Sequence, residues 1–201
     1  MRNGATLISI IGPPASGKTT LAEALARVLP AGLIREDYAG NPFLAKSCLG
    51  QTELALPSQL YFLLSRAAQL SLADWPAEGL RVSDYGFCQD ALYAGWSLAG
   101  SEYGLYDHVA RRVGKLVRPP DLVIRLDACE STLLERIARR GRTFEQVMTA
   151  QFLRRMRLSY EQTATRLDCP VLDVDCDRTD LRQAEALASL VGQVREFVVP
   201  P

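Results

Sequence analysis

Long apolar runs are missing from this chain. None of its 201 residues lies in a stretch approaching the roughly 18 apolar positions that a membrane-crossing helix needs, so no membrane association is expected. An excess of either charge is missing too. Lys and Arg total 23, as do Asp and Glu, and a balanced protein has no overall field to draw it to nucleic acid or an anionic bilayer. Nucleic acid is therefore not an expected partner, although the balance leaves room for a local basic cluster. The five cysteines are an odd number, and none stands in C-x-x-C spacing. That argues against a disulfide framework or a zinc ribbon and for a reduced, cytoplasmic compartment. His108 is the only histidine. With no second histidine to complete a site, a surface or core role is expected for it. A core strand beginning by residue 6 leaves no room for a secretory leader. No repeat, low-complexity tract or linker divides the chain, and its length fits one α/β domain spanning residues 1–201.

The most informative stretch runs from Thr6 to Thr20. Thr6-Leu7-Ile8-Ser9-Ile10-Ile11 reads as a buried strand, and Leu21 to Arg27 continues as a helix. Between them Gly12, Gly17, Lys18 and Thr19 satisfy G-x-x-x-x-G-K-[ST]. Backbone N–H groups in such a loop face phosphate oxygens, and the helix start adds partial positive charge. Pro13 and Pro14 have no N–H to offer. The cradle is therefore expected to run from Ala15 through Ser16, Gly17, Lys18 and Thr19 to Thr20. Lys18 would reach the outer phosphates, and the Thr19 hydroxyl would ligate Mg²⁺. The chain is expected to bind a nucleoside triphosphate.

Further along, 31–36 reads as a second short strand ending at Glu36-Asp37, and 80–85 as a third ending at Asp84. Ligands of open parallel sheets sit beyond the carboxyl ends of the strands, so these acids are expected to face the phosphate site. For Glu36 a solvated loop carboxylate is the alternative, and the residues alone leave both open. Asp84 stands where an acid of a P-loop fold helps to hold Mg²⁺. Leucines and alanines at three- and four-residue spacing predict one helix over 53–73. Gln59 and Arg66 lie two turns apart on its apolar face, roughly 10 Å along the axis. Taken alone, such long polar side chains favour a solvated face. Asp90 falls in the first turns of the next helix, and 103–115 predicts another. Residues 121–127 form the clearest later strand, followed by a helix over 133–140. Arg136, Arg139, Arg140 and Arg142 then crowd into seven positions. They suit either a phosphate clamp or a solvated helix end, and the residues alone give both equal weight. A helix over 145–166, a strand over 170–175 and a helix over 179–197 complete the chain. Five strands alternating with helices predict a doubly wound, five-stranded parallel sheet with helices on both faces.

Several of these residues fall in register with a known family. Glu36 stands five positions before Asn41-Pro42-Phe43-Leu44, and Gln59-Leu60-Tyr61-Phe62-Leu63-Leu64-Ser65-Arg66 follows. Then come Ser83-Asp84-Tyr85-x-Phe87-x-x-Asp90, Asp121-Leu122-Val123-Ile124-x-Leu126-Asp127 and Leu134-Glu135-Arg136-Ile137-x-x-Arg140-Gly141-Arg142. The set resembles the P-loop deoxynucleoside kinases, close to their deoxyadenosine and deoxyguanosine kinase branch, over nearly the whole chain. The resemblance implies an ATP- and Mg²⁺-dependent enzyme that phosphorylates the 5′-hydroxyl of a deoxynucleoside in nucleotide salvage. It implies Glu36 as the base for that hydroxyl, and Gln59 as the reader of the nucleobase with Arg66 and Asp90 beside it. Asp84 would lie near Mg²⁺, and Arg136, Arg140 and Arg142 would belong to a lid over about 136–146 that closes on phosphates. Glu161 matches the carboxylate that binds the sugar 3′-hydroxyl. In the family an Arg–Asp pair accompanies purine deoxynucleosides or deoxycytidine and crowds the methyl of thymine. Members are commonly homodimers, and the helix over 53–73 is the expected contact.

Two positions depart from the family pattern. Tyr85 replaces an arginine after the third-strand acid, and Ser47-Cys48 replaces an aromatic pair whose tyrosine grips the 3′-hydroxyl. These departures keep open a nucleotide-binding regulator that has lost catalysis. A nucleoside monophosphate kinase of thymidylate-kinase type is the other alternative. It would need a basic pocket for the acceptor's phosphate, whereas the acidic Glu36 suits a neutral hydroxyl. A GTPase is poorly supported, since Asp37-Tyr38-Ala39-Gly40 reads D-x-x-G but no N-K-x-D segment follows.

Overall fold

The apolar run at the start of the chain becomes strand β1 (Thr6–Ile11), in which every position from Leu7 to Ile11 is buried. A strand buried on both faces needs a layer of helices on each side of its sheet. The computed structural model, which describes residues 4–198, supplies both. Strands β2 (Gly32–Ile34), β3 (Leu80–Ser83), β4 (Leu122–Asp127) and β5 (Val171–Asp175) join β1 in a five-stranded sheet of order β2-β3-β1-β4-β5. All four pairings are parallel.

Helices α1 (Lys18–Val28), α6 (Glu130–Arg140), α7 (Ala150–Ala164) and α8 (Ala184–Val198) bury Leu25, Ile137, Met156 and Val194 in one cluster with Ile8, Ile10 and Ile124. Helices α3 (Ala55–Gln69), α4 (Gln89–Ser97) and α5 (Gly100–Val113) bring Leu63, Ala94 and Tyr106 into a second cluster. Leu7 reaches a third, with Leu70, Tyr85 and Val117. Among the described residues no helix is long and apolar enough to cross a membrane.

The strand order positions the site. From β1 the chain moves to one side for β2 and β3, then crosses back to the other side for β4 and β5. The crevice at such a reversal, beyond the carboxyl ends of the strands, is where open α/β sheets hold ligands.

The expected elements are present, with boundaries shifted for identifiable reasons. The helix expected over 53–73 begins as a 3-10 turn, Thr52–Leu54, and stops at Gln69. Beyond it Leu72 N–H donates to the Leu116 carbonyl at 2.9 Å, and Ser71 bridges to Val117. The helix expected from residue 145 begins at Ala150, because the Thr149 hydroxyl caps Phe152 N–H at 3.2 Å. The last helix starts at Ala184 rather than residue 179. Asp175 and Asp180 accept backbone N–H groups of Asp177, Arg178 and Arg182, and so hold turns ahead of it. The five-residue helix α2 (Leu44–Cys48) was not expected, since so short a segment has no readable period.

The entry to the central strand is clamped from three sides. Ala5 N–H donates to the Pro76 carbonyl at 2.8 Å, and Trp75 Nε1 donates to the Ala5 carbonyl at 2.8 Å. Asp121 accepts from Leu7 N–H at 2.9 Å and from the buried Arg118 guanidinium at 2.7 Å. Asp121→Ala strands that buried cation. It is expected to lower stability by about 3 kcal/mol, read as a fall in the urea midpoint at unchanged m-value.

Candidate active site

The loop after β1 has the form its sequence demands. Gly12 sits at φ 144°, and a Cβ there would lie 2.3 Å from the Leu126 carbonyl oxygen, so only glycine lets the loop pack against β4. Gly17, at φ 108°, turns the chain into α1. Lys18 Nζ donates to the Gly12 and Pro13 carbonyls at 2.8 and 2.9 Å, so the lysine lies folded back along its own loop. Burial pushes its ammonium down to about 8, against the pull of Glu36 and Asp84. Ala15, Gly17, Lys18, Thr19 and Thr20 line one end of a cavity of about 400 Å³. Gly12 and Ser16 are buried beneath that end.

The strand ends supply the acids. Asp84, just beyond β3 and 6% exposed, accepts from the Thr19 hydroxyl at 2.6 Å and from Glu36 N–H at 2.8 Å. One carboxylate thus ties the phosphate loop to the segment leaving β2. Thr19 Oγ1 and Asp84 Oδ2 are adjacent hard oxygen donors of the kind Mg²⁺ accepts. Among the described residues no group of three or more His, Cys, Asp or Glu could hold a metal.

The central part of the cavity wall differs from the solvated face expected of Gln59 and Arg66. They are 6% and 3% exposed. A buried guanidinium needs compensating charge, and Arg66 has it on two sides. Nη1 donates to Asp90 at 2.5 Å, while Nε donates to Glu36 Oε1 at 3.0 Å and Nη2 reaches the same oxygen. The Phe62 and Tyr85 rings lie 4.8 and 5.7 Å from the guanidinium carbon. Burial pulls the guanidinium down, but Glu36 and Asp90 outweigh it and hold it above its ordinary value. Burial likewise raises the Asp90 carboxyl to about 6, with Arg66 opposing. Gln59 lines the cavity, its Oε1 has no partner among the described residues, and its Nε2 is 3.5 Å from the Ser97 hydroxyl.

Glu36 itself takes three hydrogen bonds on one oxygen. Besides the two from Arg66, Gln89 Nε2 donates to Oε1 at 2.8 Å. Tyr85, which stands where the family arginine was expected, is fully buried, and its hydroxyl donates to Gln69 at 2.6 Å. It gives Glu36 no cation; Arg66 does.

The arginine cluster brackets the cavity mouth. Arg136 donates to the Ser16 and Cys176 carbonyls at 3.4 and 3.1 Å, between the phosphate loop and the exit of β5. Arg140 donates to Glu145 through Nε at 3.0 Å and Nη2 at 2.5 Å, and Arg142 reaches Glu145 at 3.3 Å. Arg142 also stacks 3.8 Å above the Tyr38 ring. His108 is exposed, as one of its two expected roles allowed.

Of the residues singled out in the sequence, Glu36, Gln59, Arg66, Asp84, Arg136, Arg140 and Arg142 all line this cavity, and Asp90 stands behind Arg66. Glu161 does not join them. It is exposed on α7 and outside the cavity lining, while its neighbour Tyr160 points into the core. Besides Glu36 and Asp84, a third carboxylate lines the cavity: Glu145, 4% exposed, beside Cys48, whose thiol burial and Glu145 both push up. Sequence reasoning missed Glu145 and Gln89. The signal for Glu145 was its place three residues after Arg142; Gln89 carried none apart from its neighbour Asp90.

Comparison with known proteins gives a consistent result. The deoxynucleoside kinase family model matches residues 8–199. A deoxyguanosine kinase of Bacillus subtilis is 28% identical over 98% of this chain and 100% of its own length. A deoxyadenosine kinase of Dictyostelium discoideum is 27% identical over 92% of this chain and 78% of its own. The fold is that of a deoxyadenosine kinase from M. mycoides solved with dCMP and dCDP, with TM-score 0.80 at 20% identity over 94% of this chain and 98% of that one.

The lysine of the phosphate loop gives a direct test. Lys18→Ala removes the cation and leaves the apolar core untouched, so thermal unfolding is expected to stay cooperative. Turnover is expected to fall by about 10² or more, measured as nucleoside triphosphate consumed by purified protein. Near-parental turnover would remove phosphoryl transfer from this loop.

Proposed function

The chain belongs to the deoxynucleoside kinase family, and on that premise we propose that Glu36 receives the 5′-hydroxyl proton of a bound purine deoxynucleoside while the γ-phosphate of ATP is transferred to it. The observation that carries this reading is the place of Glu36 on the cavity wall. It sits between the phosphate end, reached through Asp84, and the buried polar group of Arg66, Asp90 and Gln59. Phosphoryl transfer needs positioning, charge neutralisation and an acceptor for one proton. Lys18, Arg136, Arg140 and Arg142 supply cations around the transferred group. The hydroxyl oxygen bonds to the γ-phosphorus, the β–γ bridging bond breaks, ADP leaves, and Glu36 takes the proton. Thr19 and Asp84 would hold Mg²⁺, whose charge, when it is bound, neutralises phosphate oxygens. A Gln59 amide whose acceptor has no partner among the described residues suits a nucleobase edge. Glu145, beside Cys48 on the cavity wall, is our choice for the sugar 3′-hydroxyl in place of Glu161.

The alternatives fare less well against the same residues. A monophosphate acceptor would meet Glu36 and Glu145, while Arg66 is already neutralised by two carboxylates. A regulator without catalysis was kept open by Tyr85 and Cys48; against the first of these, Arg66 supplies a cation to Glu36. We read residues 136–146 as the lid of one P-loop kinase domain. We also expect a homodimer through α3 and α5, where Leu64 and Leu105 are 56% and 55% exposed.

Two outcomes test the proposal. Glu36→Gln is expected to lower kcat by about 10² to 10⁴, the range for a positioned general base, with ATP affinity nearly unchanged; weakened ATP binding at constant kcat would make Glu36 a nucleotide ligand instead. In a panel of nucleosides with ATP and Mg²⁺, deoxyadenosine or deoxyguanosine is expected to give the highest kcat/KM, deoxycytidine less and thymidine least. Efficient thymidine phosphorylation would overturn the assignment of the Arg66–Asp90 pair while leaving the kinase reading intact.

A further inference from the structure

Gln89 is one of the most deeply buried polar side chains in the protein, 1% exposed at the first position of α4. Its Nε2 donates to Glu36 Oε1 at 2.8 Å, and its own Oε1 has no partner among the described residues. An amide kept in the interior with half its capacity unused is a poor choice for stability alone, because an apolar side chain of equal length would fill the space without an unsatisfied oxygen. What the amide does accomplish is specific. Together with the two donors of Arg66 it saturates Glu36 Oε1. Glu36 Oε2 makes no hydrogen bond among the described residues, and the Glu36 side chain is 23% exposed on the cavity wall.

We propose that Gln89 is the positioning residue of the phosphoryl-transfer step, fixing the Glu36 carboxylate through Oε1 so that Oε2 alone is presented to the acceptor hydroxyl. This rests on the reading of Glu36 as proton acceptor. A carboxylate held by one oxygen from two directions, α3 through Arg66 and α4 through Gln89, cannot rotate to exchange its oxygens without breaking all three bonds. The proton leaving the 5′-hydroxyl therefore goes to Oε2 as the new oxygen–phosphorus bond forms and the bond to ADP breaks. Tyr85 has withdrawn to Gln69 and contributes no hydrogen bond to Glu36, so the second anchor of that carboxylate falls to the residue four positions further on.

A double-mutant cycle on the full chain separates this role from a structural one. The variants are Gln89→Met, Glu36→Gln and their combination, assayed with saturating ATP, Mg²⁺ and deoxyadenosine or deoxyguanosine, whichever turns over faster. Gln89→Met keeps the side-chain length and removes the donor. It is expected to lower kcat about tenfold, the scale of a hydrogen bond to a charged group, with KM for ATP changed less than about twofold. In the Glu36→Gln background the same change is expected to cost less than about twofold. Equal losses in the two backgrounds, or no loss in the parent, would overturn the proposal. An unchanged kcat in Glu36→Gln itself would instead overturn the assignment of Glu36 as base. Should Gln89→Met fail to fold, Gln89→Leu carries the same cycle, because it too removes the donor without adding a charge. Equal losses in the two backgrounds again overturn the proposal.

Discussion

A guanidinium 3% exposed in the middle of the protein dictates much of what surrounds it. Removing one partner from a buried ion pair costs roughly 3 to 5 kcal/mol, so the place of Arg66 depends on the two carboxylates together. Glu36 comes from the segment leaving β2 and Asp90 from the first turn of α4. The charge requirement therefore holds three separate pieces of chain together around the cavity. It also couples two tasks that are easily thought of as separate. The residue beside the expected nucleobase is the same one that holds the expected proton acceptor. On the proposed reading, a change at Arg66 made to alter base selectivity also loosens Glu36.

Asp84 plays a comparable part at the phosphate end. Its two oxygens face different clients, the Thr19 hydroxyl on one side and the Glu36 backbone on the other. The sheet order makes this possible, because β3 lies directly between β1 and β2 and delivers Asp84 into the gap between their exits. Parallel strands bring their carboxyl ends to one edge, so residues 19, 36 and 84 meet through topology rather than through local sequence.

The phosphate loop was legible from sequence because its backbone admits few residues. At Gly12 the neighbouring Leu126 carbonyl leaves no space for a Cβ, and that restriction is written in the motif itself. The sheet and its helices were legible for a similar reason, since burial leaves a period. The states of Gln59 and Arg66 were not. Whether a long polar side chain on an apolar stripe is wet or buried depends on partners 24, 30 and 38 positions away, which periodicity does not record. That Glu145, and not Glu161, lies on the cavity wall was not legible either, and it has a local cause. Residues expected to begin a helix at 145 instead form a 3-10 turn, and α7 waits for its Thr149 cap. That turn buries Glu145 beside the arginines, whereas Glu161 lies on the wet side of α7.

The two tryptophans stand in places that report on different events. Trp96 forms part of the cavity wall, with the Phe152 and Tyr93 rings at 5.7 and 5.2 Å from its own. Trp75 is bonded to the Ala5 carbonyl at the foot of the central strand and is not part of the cavity lining. Intrinsic fluorescence is thus divided by the fold into two channels. With Trp75→Phe, emission follows occupancy of the cavity; with Trp96→Phe, it follows the release of β1 as the sheet comes apart. Ligand binding and global unfolding become separable optical signals in a protein that carries no added label.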